Sequence, residues 1–249
     1  MSETTIEHDR WNTSVPRLPK APPIKLGDIF GVLPFDGVRN PSSRSATSHK
    51  VFMTYKTEAN GWIPKVGIAE SAAECATAIQ ALISPDLYDL HFQPATVRFK
   101  DEDGANRTYT HDLLLTFRNG YRRLAFVRNE FSLLKPRTAR QIAAIVAATP
   151  RHLADDMIVV NASDFTRQRR ENLFRIHHFV FNPDAEADEL VLEVAAKLKP
   201  LRLMLDLFRH VGLEQRRVFA ACHRLVARGQ IRTNLDNVFW EHSQIEVTK

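Results

Sequence analysis

Two carboxylates and one cation carry the chemistry this sequence can offer. Glu74 lies in ESAAECATAIQALI (70–83), Asp112 in TYTHDLLLTF (108–117), and Arg128 ends YRRLAFVR (121–128). Magnesium takes oxygen ligands in near-octahedral geometry and is commonly held by one or two carboxylates, with waters and a phosphate oxygen completing its shell. A helix carboxylate facing a strand carboxylate supplies such a pair. A cation on the neighbouring strand then meets either the attacking water or the scissile phosphate, so the three together suit metal-dependent phosphodiester hydrolysis. Taken singly, each is the kind of residue most often found solvated at a surface. Their placement in the fold separates the two readings.

Apolar residues at 75, 78, 79, 82 and 83 follow the three-and-four spacing of an amphipathic helix around Glu74, closed by Pro85. VFMTYK (51–56), ATVRFK (95–100), TYTHDLLLTF and YRRLAFVR read as strands. The DEDGAN and RNG turns separate the last three. Asp112 follows the alternation of its strand, and Glu130 continues the Phe126/Arg128 face two residues on, roughly 6.6 Å away. A helix beginning near Pro136, a strand MIVV (157–160) and a helix capped by Ser163 or Asp164 complete an α/β unit over 51–180 with a mixed sheet.

Residues 1–50 are rich in Pro, Ser, Arg and Lys and read as an irregular arm, either a plain tail or a segment ordered against a partner. FNPDAEAD (181–188) reads as a linker. Beyond it, ADELVLEVAAKLK, PLRLMLDLFRHVG and LEQRRVFAACHRLVARG read as three helices, ended by Pro200, Gly212 and Gly229. QIRTNLDNVFWEHSQIEV reads as a short ribbon, which gives 185–249 a winged-helix pattern.

Composition sets the outer limits. The chain has 249 residues, 44% hydrophobic and 25% charged, with a formal charge of +5, a balance suited to a globular protein with a polyanionic partner. Cys75 and Cys222 both lie in apolar helical patterns, so neither a disulfide framework nor a zinc site is indicated. No apolar run reaches the length of a membrane span, and the expected location is cytoplasmic. The chain has no Gly-rich phosphate loop.

Ser71-x-x-Glu74, Gln93-Pro94, Tyr109-Thr110-His111-Asp112, a turn with Gly120, and Leu124-Ala125-Phe126-Val127-Arg128 follow one another in an order that resembles the TnsA family. Members are endonuclease subunits of heteromeric cut-and-paste transposases, with a PD-(D/E)xK restriction-endonuclease-like domain before a winged helix. Arg128 stands 16 positions after Asp112 (128 − 112), as the family pattern requires. The likeness extends through MIVVNASDFTRQRRENLFRIHHF to the C-terminal ribbon, covering about residues 65–249.

The resemblance implies that Glu74 and Asp112 ligate magnesium, and that the family cuts transposon 5′ ends beside a DDE-class transposase and an ATPase regulator. His111 stands where the family has proline. Phe126 stands where it has a third polar ligand, and Arg128 where it has lysine. Phenyl cannot bind magnesium. Arginine keeps its proton, so it stabilises phosphate charge without acting as a base. The alternative is a catalytically inactive subunit that keeps the fold for assembly and DNA binding. A further one is a winged-helix regulator whose first domain binds something else, such as a branched nucleic acid.

Arg217, Arg224 and Arg228 share one face of the third C-terminal helix by spacing, with Val218, Cys222 and Leu225 toward the core, and Arg232 lies in the ribbon. That face suits a DNA major groove with Arg232 near a phosphate, or else a protein partner or plain solvent.

Overall fold

The computed structural model describes residues 24–41 and 50–248, so much of the N-terminal arm lies outside the described residues. Its described part, 24–41, forms no helix or strand and joins the rest through a bridge between Leu33 and Lys65. β1 (Val51–Tyr55) and β2 (Lys65–Ala69) make an antiparallel hairpin. Every residue of β2 is buried, so it lacks the alternation that marks a strand in sequence.

α1 (Ala72–Leu82) begins at Ser71, whose hydroxyl accepts the Glu74 N–H, and its Cys75, Ala78 and Ile79 are fully buried. β3 (Leu87–Phe92), which the periodicity also hides, precedes β4 (Thr96–Lys100), β5 (Asn106–Thr110), β6 (Leu113–Phe117) and β7 (Arg122–Arg128). α2 (Glu130–Leu133), α3 (Pro136–Ala148), β8 (Asp156–Asn161) and α4 (Arg167–Phe181) follow. The central sheet has the order β3-β6-β7-β8, antiparallel except for the parallel β7/β8 pair. The architecture is therefore mixed α/β, with a mixed sheet flanked by helices.

TYTHDLLLTF, expected as one strand, is two. β5 pairs with β4 in a separate hairpin, whereas β6 enters the central sheet. The chain changes sheets at His111 and Asp112, where His111 N–H donates to Ala95 O and Gln93 N–H donates to Asp112 O. Asp112 thus sits at a corner. Glu130 is not on the β7 face either, because that strand ends at Arg128 and Glu130 opens α2. Ser163 and Asp164 form a single 3₁₀ turn, and Thr166 caps α4 instead by accepting from Arg169 N–H.

The expected linker shrinks to a few residues. Asp184 caps α5 (Ala185–Lys197), and Glu186 and Asp188 occupy its first turn, where acidic side chains complement the helix dipole. α6 (Met204–Phe208), α7 (Gln215–Ala227) and the two-residue strands β9 (Ile231–Arg232) and β10 (Glu246–Val247) complete the chain. Gly229 adopts a φ of 68° and closes α7, as expected. Val191, Met204, Val218, Cys222 and Phe239 fill a hydrophobic core separate from the one beneath α1.

α4 joins the two cores. Asn172, 1% exposed, donates to Leu235 O and Asn237 O and accepts from Phe239 N–H. Arg175 donates to Phe239 O, and Phe179 rests on Phe219 and His223 of α7.

A candidate metal and phosphate site

Glu74 and Asp112 come together as the sequence suggested. Both are buried, each at 3% exposure, and both line a cleft of about 490 Å³ with Arg128 and Arg170. Glu74 occupies the position of a capping-box glutamate, whose ordinary task is to bond the N-cap amide. Here its Oε2 accepts from Glu70 N–H at 2.9 Å, one residue further back, and Oε1 accepts from Gln93 Nε2 at 3.3 Å. Asp112 Oδ2 accepts from Val127 N–H at 2.8 Å. The sheet change at 111–112 is what lets an aspartate in an apolar segment reach the amide of the adjacent strand.

Burial, and then the charge of Asp112, push Glu74 well above the usual carboxylate range. Burial raises Asp112 to about 6, against the lowering effects of Arg128 and the Val127 amide. Two carboxylates that share a cleft and resist ionising together are what a divalent cation relieves. The pair fits one cation bound through two side chains and completed by water and substrate oxygen. Among the described residues no three His, Cys, Asp or Glu side chains converge as a ready ligand set.

Phe126 explains part of that. Its ring is 1% exposed and packs with Val97, Phe99, Tyr109 and Ile145 between the β4–β5 hairpin and α3. Where the TnsA pattern has a polar ligand, this chain has core. Arg128 lies across that core: its guanidinium stands 4.3 Å from the Phe126 ring centroid, donates to Val127 O, and has Nη1 3.7 Å from Asp112 Oδ2. It is a fixed positive charge at the rim of the cleft.

Sequence reading gave no role in the site to three participants. Gln93, wholly buried with φ of 51°, donates to Glu74 and accepts from Arg39 Nη2 at 3.0 Å. A left-handed glutamine is uncommon, but φ is invisible in sequence. Glu70 lines the cleft and is ion-paired to Arg39. Arg170, in the first turn of α4, lines the cleft and makes no ion pair among the described residues. RQRR in an expected helix was the available signal for it.

The C-terminal arginines are placed otherwise than expected. Arg224 is 2% exposed, donating to Asp188 Oδ1 at 2.7 Å and to Asn182 O at 3.1 Å. Arg217 binds Asp184 and Glu186, and Arg228 binds Asp188 at 2.8 Å. These side chains hold α7 against α5 and the end of α4. With Arg224 buried and Arg217 and Arg228 engaged by acids, the three do not form the single solvent-facing set their spacing suggested, although the Arg228 side chain stays half exposed. The reason the spacing misled is that a basic helical face and a set of buried ion-pair partners look alike without the opposing acids. Arg232 is exposed on β9, across from Glu246.

The raised carboxylates make a pH prediction. Between the ordinary Asp value of about 4 and the folded value of about 6 the folded state binds more protons than the unfolded one. The contribution from Asp112 is thus fully present below pH ~4 and is lost as pH rises through 6. In metal-free buffer, stability of wild type relative to Asp112→Asn should fall over that window, on the order of 3 kcal/mol. Urea midpoints at several pH values measure it; parallel profiles for the two proteins would contradict it. The comparison cancels Asp156, Asp184 and Asp206, whose lowered values act in the opposite, acidic direction.

No family model matches the sequence, and no curated protein matches it. Among the described residues no helix is long and apolar enough to cross a membrane.

Proposed function

We propose that this chain is a TnsA-type subunit of a heteromeric transposase that hydrolyses phosphodiester bonds at transposon 5′ ends, with magnesium held by Glu74 and Asp112. The observation that carries the reading is the buried, mutually destabilised carboxylate pair in an open cleft with Arg128 and Arg170 on its lining. In this reading the unit over 51–180 is restriction-endonuclease-like and the unit over 185–249 a winged helix. The partners are DNA, a DDE-class transposase and an ATPase regulator, in the cytoplasm.

Magnesium supplies Lewis acidity and activation of water. The chain supplies the rest. Gln93 fixes the orientation of Glu74, and the Val127 amide fixes Asp112. Arg170, half-buried and without an ion pair among the described residues, takes a phosphate oxygen of the strand to be cut. Arg128 stabilises charge on the phosphate and serves as no base, since guanidinium keeps its proton. The attacking water loses its proton to solvent or to a carboxylate.

Phe126 favours a second reading. With a ring in place of the third ligand, the subunit retains the cleft for binding and assembly while a partner cuts. Supercoiled plasmid carrying transposon ends, incubated with magnesium or manganese and the partner transposase, separates the two. The first reading expects metal-dependent 5′ nicks; their absence with an intact complex gives the second. Arg170→Ala should weaken DNA binding several-fold and reduce the slope of log affinity against log salt by about one. An unchanged slope would remove Arg170 from the phosphate path.

A further inference from the structure

A second cavity, of about 280 Å³, opens at the far end of α1, where the β1–β2 loop meets the C-terminal end of α7. Its floor is apolar, from Leu82, Pro85 and Val180, and Trp62 stands at its rim. Trp62 is 58% exposed. Its backbone has φ of 61°, directly after Gly61 at 64°, a conformation bulky residues rarely take. Trp62 N–H donates to Thr57 O at 2.9 Å, and Thr57 N–H donates to Asn60 Oδ1, so the loop holds the residue in this state. Among the described residues the indole ring stacks on nothing and its N–H donates to nothing. An exposed aromatic face is thereby presented over the cavity.

The lining is also cationic. Lys56, Arg118, Arg224 and Arg228 contribute to it, against Glu58 on the lining and Asp188 behind it. Arg224 is buried with Asp188, but the Arg228 side chain is half exposed, and among the described residues Lys56 bears only a ring contact with Phe181. A flat aromatic, an apolar floor and surplus positive charge match a nucleobase with its phosphate. The volume lies below that of pockets for drug-sized ligands and suits one unstacked nucleotide.

We propose that this cavity holds one unstacked nucleotide of single-stranded DNA, its base on Trp62 and its phosphate on Lys56 and Arg228. The inference rests on the reading that DNA is the ligand of this chain. α1 has 11 residues, so the two sites at its ends stand roughly 16 Å apart, a span of a few nucleotides of one strand. A strand opened at the carboxylate cleft has the reach to place a nucleotide here.

The test uses the full chain in chelator, with two fluorescent oligomers of equal length and charge: eight thymidylates, and eight abasic sugar-phosphates. Wild type should bind the thymidylate oligomer about tenfold more tightly. Trp62→Ala should abolish that preference while leaving abasic binding unchanged, and Trp62→Phe should keep most of it. Lys56→Ala should weaken both oligomers alike. Equal binding of the two oligomers by wild type, or an intact preference in Trp62→Ala, overturns the site while leaving the metal cleft untouched. Binding of neither oligomer, nor of duplex, removes the DNA reading as well, and an acidic peptide then becomes the ligand to try. A melting curve for each variant establishes that it folds.

Discussion

Asp112→Ala should lose metal-dependent strand cleavage by more than about a hundredfold, because the change removes a ligand and the loss of a residue that merely supports one already costs ten- to a hundredfold. The same variant should keep its fold. In the absence of metal Asp112 is a buried carboxylate beside Glu74, and its removal relieves Coulombic strain while costing the bond from Val127 N–H. Activity and stability are therefore expected to move in opposite directions. Plasmid nicking with magnesium titrated against wild type and variant reads the first, and the urea midpoint in chelator reads the second. Equal nicking by both proteins would place catalysis elsewhere. If wild type itself nicks nothing, manganese binding by calorimetry still tests the pair, and a cation held equally well by Asp112→Ala removes Asp112 as a ligand.

Arg224→Ala should cost about 3–5 kcal/mol of stability. Asp188 is 2% exposed and receives Arg224 and Arg228 together. Removing Arg224 strands most of a buried charge and leaves Asn182 O without its donor. A paired change, Arg224→Met with Asp188→Leu, should recover most of the loss, since well-packed apolar groups replace a buried ion pair at little cost. Urea denaturation of the two variants decides it. A shift below about 0.5 kcal/mol for Arg224→Ala, the range of an ordinary surface change, would restore this arginine to the surface.

How much of this was legible in the sequence depends on which physical signal each element carries. Helices α1, α3, α5 and α7 announce themselves through apolar spacing, and β4 and β7 through alternation or turns. β2 was hidden because KVGIA is buried throughout. The 108–117 segment looked continuous because both halves alternate across a junction that only pairing partners reveal. At the site, Glu74 and Asp112 were found by order and spacing. Gln93 entered only as part of a dipeptide, since its importance lies in a left-handed backbone and two amide bonds that no composition encodes. The α7 arginines were misplaced because Asp184, Glu186 and Asp188 read as solvated linker instead of as their partners.

The amide of Asn172 has a mechanical consequence. Three hydrogen bonds from one buried side chain, with Arg175 beside it, weld α4 to the 235–239 loop. The same helix carries Arg170 in the carboxylate cleft, half a turn earlier. Close-packed interiors transmit displacement instead of absorbing it. The 235–239 loop and the Arg170 side of the cleft are therefore two attachments on one helix. α4 is thus one piece of structure shared by the cleft and the C-terminal unit, with a single buried asparagine as its main attachment to the second.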